Sequence, residues 1–256
     1  MVHVPELYAI YAVWKRELLV YIREKERLVS SFVSPLLWLF VFGSGIGGGV
    51  YAGGGTENYQ SFIFPGILTM SVLFISVFYG LYIIWDRKLD FLKEVLVAPI
   101  SRSSIFLGKT LGGVTDAMIQ GVILLVIGSL FILPVSPVNF LAALAILFLL
   151  TFFTTSLGLI MGANLHSQEG FALVSNFLMW PMFFFSGALF PVSQLPDVLK
   201  AVSDVNPLTY AVDALRFVLL GQSTFSIYLD VGVLALSSVI LGIAGVITFG
   251  DLQQAK

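Results

Sequence analysis

The sequence predicts an all-α integral membrane protein, and three observations carry that prediction. Hydrophobic residues make up 58% of the 256 and charged residues 11%, mean hydropathy is +0.97, and the apolar residues gather into six long segments. Together these exceed what a soluble core can bury. A hydrocarbon layer about 30 Å thick takes roughly 20 residues of helix. Six candidate spans meet that length, at 30–49, 62–85, 110–133, 139–165, 170–190 and 228–249. The whole chain, 1–256, reads as one transmembrane domain.

Residues 1–28 come before the first span and form an interfacial helix. Pro5 suits a first helical position and Glu6 the positive end of the helix dipole, while Leu7, Ile10, Tyr11, Trp14, Leu18, Tyr21 and Ile22 recur at three- and four-residue spacing. Arg16 and Arg23 fall on the opposite face. Such a helix lies along the membrane surface before the chain turns in. With no apolar core followed by a small-residue cleavage site, a removable signal peptide is not expected.

Charge sets the orientation. With six spans, the N-terminal segment, the stretch 86–109, the link 166–169 and the C-terminus share one side, which holds eleven Lys and Arg against two, Lys200 and Arg216, on the other. The side rich in Lys and Arg is cytosolic, so both termini are expected in the cytosol of a cell (inner) membrane protein. The net charge of −2 gives no basic excess that would attract nucleic acid. There are no cysteines, so disulfides and thiolate chemistry are absent.

Between the second and third spans sits a compact mixed-charge helix, carrying Asp86, Arg87, Lys88, Asp90, Phe91, Leu92 and Lys93. A charged helix of this kind on the cytosolic side invites a partner that presses on it. On the outer side, residues 191–222 are too polar to span and too helical for a loose loop. One short helix is expected around Pro196 to Val202 and another from Pro207 to Leu220, both dipping into the outer leaflet. Backbone at that depth requires protein or water around it. Asp213 and Arg216, three residues apart on the second of these, are expected to neutralise each other.

Covalent chemistry finds little footing. Gly108-Lys109-Thr110 ends like a phosphate-binding loop, but the earlier glycine is replaced by Ser103 and no strand precedes it. Lys109 is instead expected to snorkel at the headgroups. Ser156 and His166 are separated by ten residues, about 15 Å of helix rise, so no catalytic site, metal site or cofactor site is assigned. Asp116, about two turns inside the third span with Gln120 on the same face, is either a hydrogen-bonded structural acid or the coupling carboxylate of an ion-driven transporter. The glycine spacings Gly43/Gly47, Gly108/Gly112 and Gly158/Gly162 are expected to permit close helix packing. Pro65 and Pro181 are expected to kink the second and fifth spans.

Three stretches resemble the signature regions of ABC-2-type exporter permeases: Phe64-Pro65-Gly66-Ile67; Trp85 to Lys109, with Val97-Ala98-Pro99-Ile100-Ser101-Arg102 inside it; and Ser186-Gly187-Ala188-Leu189-Phe190-Pro191, followed by Asn206-Pro207-Leu208-Thr209-Tyr210, Asp213 and Arg216. The drug-resistance and nodulation-factor branch is the nearest in flavour. The resemblance implies six spans, a cytosolic coupling helix, re-entrant outer helices, and a dimer of permeases beneath two separate ATPase subunits that hold ATP and Mg²⁺. Coupling would fall on Asp86 to Lys93, with Leu89 standing where relatives often have glycine. Phe42, Phe78 and Phe184 would line the path at the seam of the first, second and fifth spans. Asn206, Pro207, Asp213 and Arg216 would form the outer gate.

Overall fold

The computed structural model describes residues 5–45, 59–89 and 100–251. Their helices, in order, are α1 Glu6–Arg23, α2 Lys25–Gly45, α3 Tyr59–Phe78, α4 Leu81–Lys88, α5 Arg102–Phe131, α6 Pro137–Asn164, α7 Gln168–Phe184, α8 Asp197–Val205, α9 Pro207–Leu220 and α10 Ile227–Asp251. A single 3₁₀ turn, Val192–Gln194, precedes α8.

Among the described residues four helices are long and apolar enough to cross a membrane: Tyr59–Lys88, which joins α3 to α4, then α5, α6 and α10. The expected first span enters the described residues as an apolar stretch, Ser30–Val41, within α2. The expected fifth span is shorter than its sequence suggested, because α7 stops at Phe184. Pro181 in its last turn and Gly187 at φ +74° bend the chain away, which a residue with a Cβ rarely does. Seventeen residues rise about 25 Å, short of a full bilayer core.

Hydroxyl caps start three helices, each saturating an orphan N–H. Ser101 accepts from Ser104 in α5, Ser136 from Asn139 in α6 and Ser167 from Gly170 in α7. The cap at Ser101 makes α5 a 30-residue helix that begins well before the apolar run.

α3 is the central helix, packed against α2, α5, α6, α7 and α9. Its core-facing Phe64, Leu68, Val72 and Leu73 meet Leu147 and Leu150 of α6 and Leu208 and Leu215 of α9. Where α3 passes into α4 the turn tightens, with Gly80 N–H donating to Val77 O at 3.0 Å. α6 crosses there in backbone contact: a Cβ on Gly158 would strike the Val77 carbonyl, and one on Gly162 the Gly80 carbonyl. This pair therefore serves packing within one chain. Gly108 and Gly112 play the same part for α1, facing Val13 and Glu17.

The interfacial helix differs from a simple two-faced one. Ala9, Glu17 and Tyr21 are buried against α5, while Leu7, Tyr8, Tyr11, Leu19 and Ile22 stay exposed. A helix packed along one side and apolar on another suits the rim of a bilayer.

Candidate functional site

The strongest electrostatic feature among the described residues is an ion cluster where α1, α4 and α5 converge. Lys109 Nζ lies 2.5 Å from Asp86 Oδ2 and 3.0 Å from Glu17 Oε1. Arg16 Nη2 is 3.2 Å from Asp86 Oδ1, and its Nη1 is 2.7 Å from Glu17 Oε1. Tyr79 Oη donates to Glu17 Oε2 at 2.9 Å. Two cations and two anions balance, and Lys109 is 1% exposed. Isolated burial of any one of these charges would be prohibitive, so each depends on the others. Burial opposes ionisation of Glu17, yet Lys109 and Arg16 outweigh it and hold its carboxyl below the usual range. Burial also works against the Arg16 guanidinium, but Glu17 and Asp86 overcome it and raise its affinity for the proton.

Lys109 therefore does not snorkel: Gly112 lets α1 approach closely enough for Glu17 to reach it. Arg16, half-buried, reaches towards the protein and pairs with both carboxylates. Glu17 carried no signal in the sequence beyond lying one residue after Arg16, and its partners lie 62 to 92 residues away.

Of the residues assigned to coupling, Asp86 is 5% exposed inside this cluster. Arg87 turns inward too, donating to Ala163 O at 2.7 Å and Leu165 O at 3.0 Å, where it caps the end of α6. Lys88 and Leu89 are exposed. Asp90, Phe91, Leu92 and Lys93 lie outside the described residues, as does the side chain of Phe42.

At the opposite end, α9 closes the unwound end of α7. Asn206 is the N-cap of α9, accepting from Leu208 N–H at 3.1 Å, and donates to Met182 O at 2.7 Å, with Pro207 at the first helical position. Thr209 donates to Phe185 O at 3.3 Å and Arg216 to Gly187 O at 2.7 Å. Carbonyls that a broken helix would leave bare at membrane depth are thus covered by side chains. Asp213 and Arg216 are engaged with different partners, not simply with each other. Asp213 accepts from Thr224 N–H at 2.9 Å and Phe225 N–H at 2.8 Å, and the Arg216 guanidinium lies 4.3 Å from the Phe62 ring centre. Asp230, in the first turn of α10, is fully buried with no hydrogen-bond partner at either oxygen among the described residues. The sequence reading passed over it.

Between α2, α3, α5 and α7 opens a cavity of about 440 Å³, walled by Trp38, Phe74, Phe78 and Trp180 with Ser31 and Gln120. Trp180 packs edge-on to Phe74 at 5.0 Å and stacks on Phe184 at 5.6 Å. Phe78 thus faces the cavity, and Phe184 backs its wall. Asp116 lies outside the lining, buried at 2% exposure one turn before Gln120.

A helical bundle clasped by charge at one end, closed by a short helix at the other and holding an aromatic cavity between helices belongs to the class of polytopic membrane transport proteins. The chain belongs to the ABC-2 type transporter family, whose model matches residues 8–220. It is 30% identical to a transport permease, ycf38, of Cyanophora paradoxa over 81% of this chain and 73% of that one. It is 29% identical to Nodulation protein J of Rhizobium meliloti, over 90% and 88% respectively. With the inner membrane transport permease YadH of Escherichia coli K12 the identity is 27% over 88% of both.

Proposed function

We propose that this chain is the permease subunit of an ATP-driven exporter, a homodimer with both termini in the cytosol, moved by separate ATPase subunits that bind ATP and Mg²⁺. The observation that carries the reading is the anchoring of the charged segment's root. Asp86 is locked to α1 and α5 through Lys109, Arg16 and Glu17, and Arg87 to the end of α6. Force applied to the segment from Lys88 to Lys93 reaches three helices at once, through a cluster whose Lys109, Glu17 and Asp86 are buried. Amphipathic cargo enters the cavity walled by Trp38, Phe74, Phe78 and Trp180, and leaves past α9, with Asn206, Pro207, Asp213 and Arg216 as the outer gate. The names of the relatives, transport and inner membrane transport permeases, support this reading.

The test is co-expression of the chain with a candidate ABC ATPase subunit from the same genome. Both should purify together, and Lys88→Glu with Lys93→Glu should separate ATP hydrolysis from transport while leaving the bundle folded. Asp116→Asn should retain transport. Its abolition, together with transport by the chain alone on an ion gradient, would establish an ion-coupled carrier instead.

A further inference from the structure

Pro35 lies inside α2 and has no N–H, so the carbonyl of Ser31, four residues earlier, lacks its helical donor. Gln120 of α5 supplies the replacement, with Nε2 3.1 Å from Ser31 O. That bond fixes the amide's orientation, because the flipped form would set oxygen against oxygen. Gln120, which lines the cavity and is 2% exposed, is then left with Oε1 buried and without a hydrogen-bond partner among the described residues. A buried acceptor without a donor is costly in an apolar setting, and a ligand that brings the donor removes the cost. Among the described residues no acidic side chain lines the cavity, so a desolvated ammonium would find no counter-charge from them.

Resting on the reading of this cavity as the cargo route, we propose that Gln120 is a specificity-determining residue that selects cargo carrying an uncharged hydrogen-bond donor, a hydroxyl or amide N–H, on an apolar body. The aromatic walls take the body, and Oε1 takes the donor. Cargo in which that donor is alkylated leaves the amide oxygen unpaired and binds more weakly.

The experiment uses the full chain in lipid nanodiscs, with Trp14→Phe and Trp85→Phe so that emission reports Trp38 and Trp180, and with empty nanodiscs to correct for partitioning. Three probes are titrated: tetraethylene glycol monododecyl ether, its methyl-capped counterpart, and dodecylammonium. The free hydroxyl should bind roughly three- to tenfold more tightly than the methyl ether, the range one neutral hydrogen bond supplies, and more tightly than the ammonium. Gln120→Leu and Gln120→Lys should bring the hydroxyl-to-ether ratio to about one; lysine still offers a donor to Ser31 O but has no acceptor. Because the ratio is read, a general loosening of α2 in either variant does not mimic the result. Equal binding of both ethers, a ratio unchanged in both variants, or preference for the ammonium overturns the role of Gln120 while leaving the cavity as a cargo route. If no probe perturbs Trp38 and Trp180, the cargo route itself falls, and Gln120 with it.

Discussion

Replacing Lys109 by methionine keeps the bulk of the side chain and removes the charge at the centre of the cluster. Glu17 and Asp86 would then share Arg16 alone, whose side chain is 37% exposed against 3% and 8% for the two carboxylates. Breaking a buried ion pair by removing one partner costs about 3–5 kcal/mol, because the other charge is left uncompensated. For a chain of this size about 1 kcal/mol moves the midpoint by roughly 2–4 °C, so thermal unfolding in nanodiscs should fall by about 6–20 °C. The decisive arm is the double variant Lys109→Met with Asp86→Asn. It removes one charge of each sign and leaves Arg16 with Glu17, so at least half of the loss should return. A single variant within 2 °C of the parent, or a double variant no better than the single, would refute the interdependence of these charges.

Glu17 has a folded-state affinity for protons below its ordinary value of about 4.3, so its contribution is complete above that value and is lost as pH falls through the lower, folded one; a pH series of unfolding midpoints should show this acid limb, flattened by Glu17→Gln. Asp230→Asn should raise the midpoint, since it replaces a buried carboxylate that has no hydrogen-bond partner among the described residues; a fall would mean the charge is needed. Gly158→Val forces a side chain against the Val77 carbonyl and should cost about 3 kcal/mol, the upper end for overpacking because backbone cannot yield as a side chain can; unchanged stability would contradict the crossing geometry.

The helices were legible because their signals are local. The apolar runs and Pro207 at the start of α9 each act within a few residues. The two short helices expected within residues 191–222 are present as α8 and α9. Family membership was legible too, since its motifs are contiguous. What stayed hidden depends on distance in sequence. Nothing near Lys109 announces that Glu17, 92 residues away, will meet it, so the default for a lysine at a helix's polar end was water. Asp213 and Arg216 were paired from helical spacing alone, whereas their partners come from the loop before α10, the end of α7 and α3. Pro35 sat in plain view, but its consequence needed Gln120 to be brought across from another helix.

The central claim is that a partner ATPase drives this chain through the segment rooted at Asp86. A photo-activated cross-linking residue at Leu89, which is 78% exposed, tests it directly in native membranes. The account predicts a light-dependent adduct with an ATP-binding subunit, identified by mass spectrometry and lost when that subunit's gene is deleted. Adducts with lipid alone, in cells where the chain still exports its cargo, would contradict it.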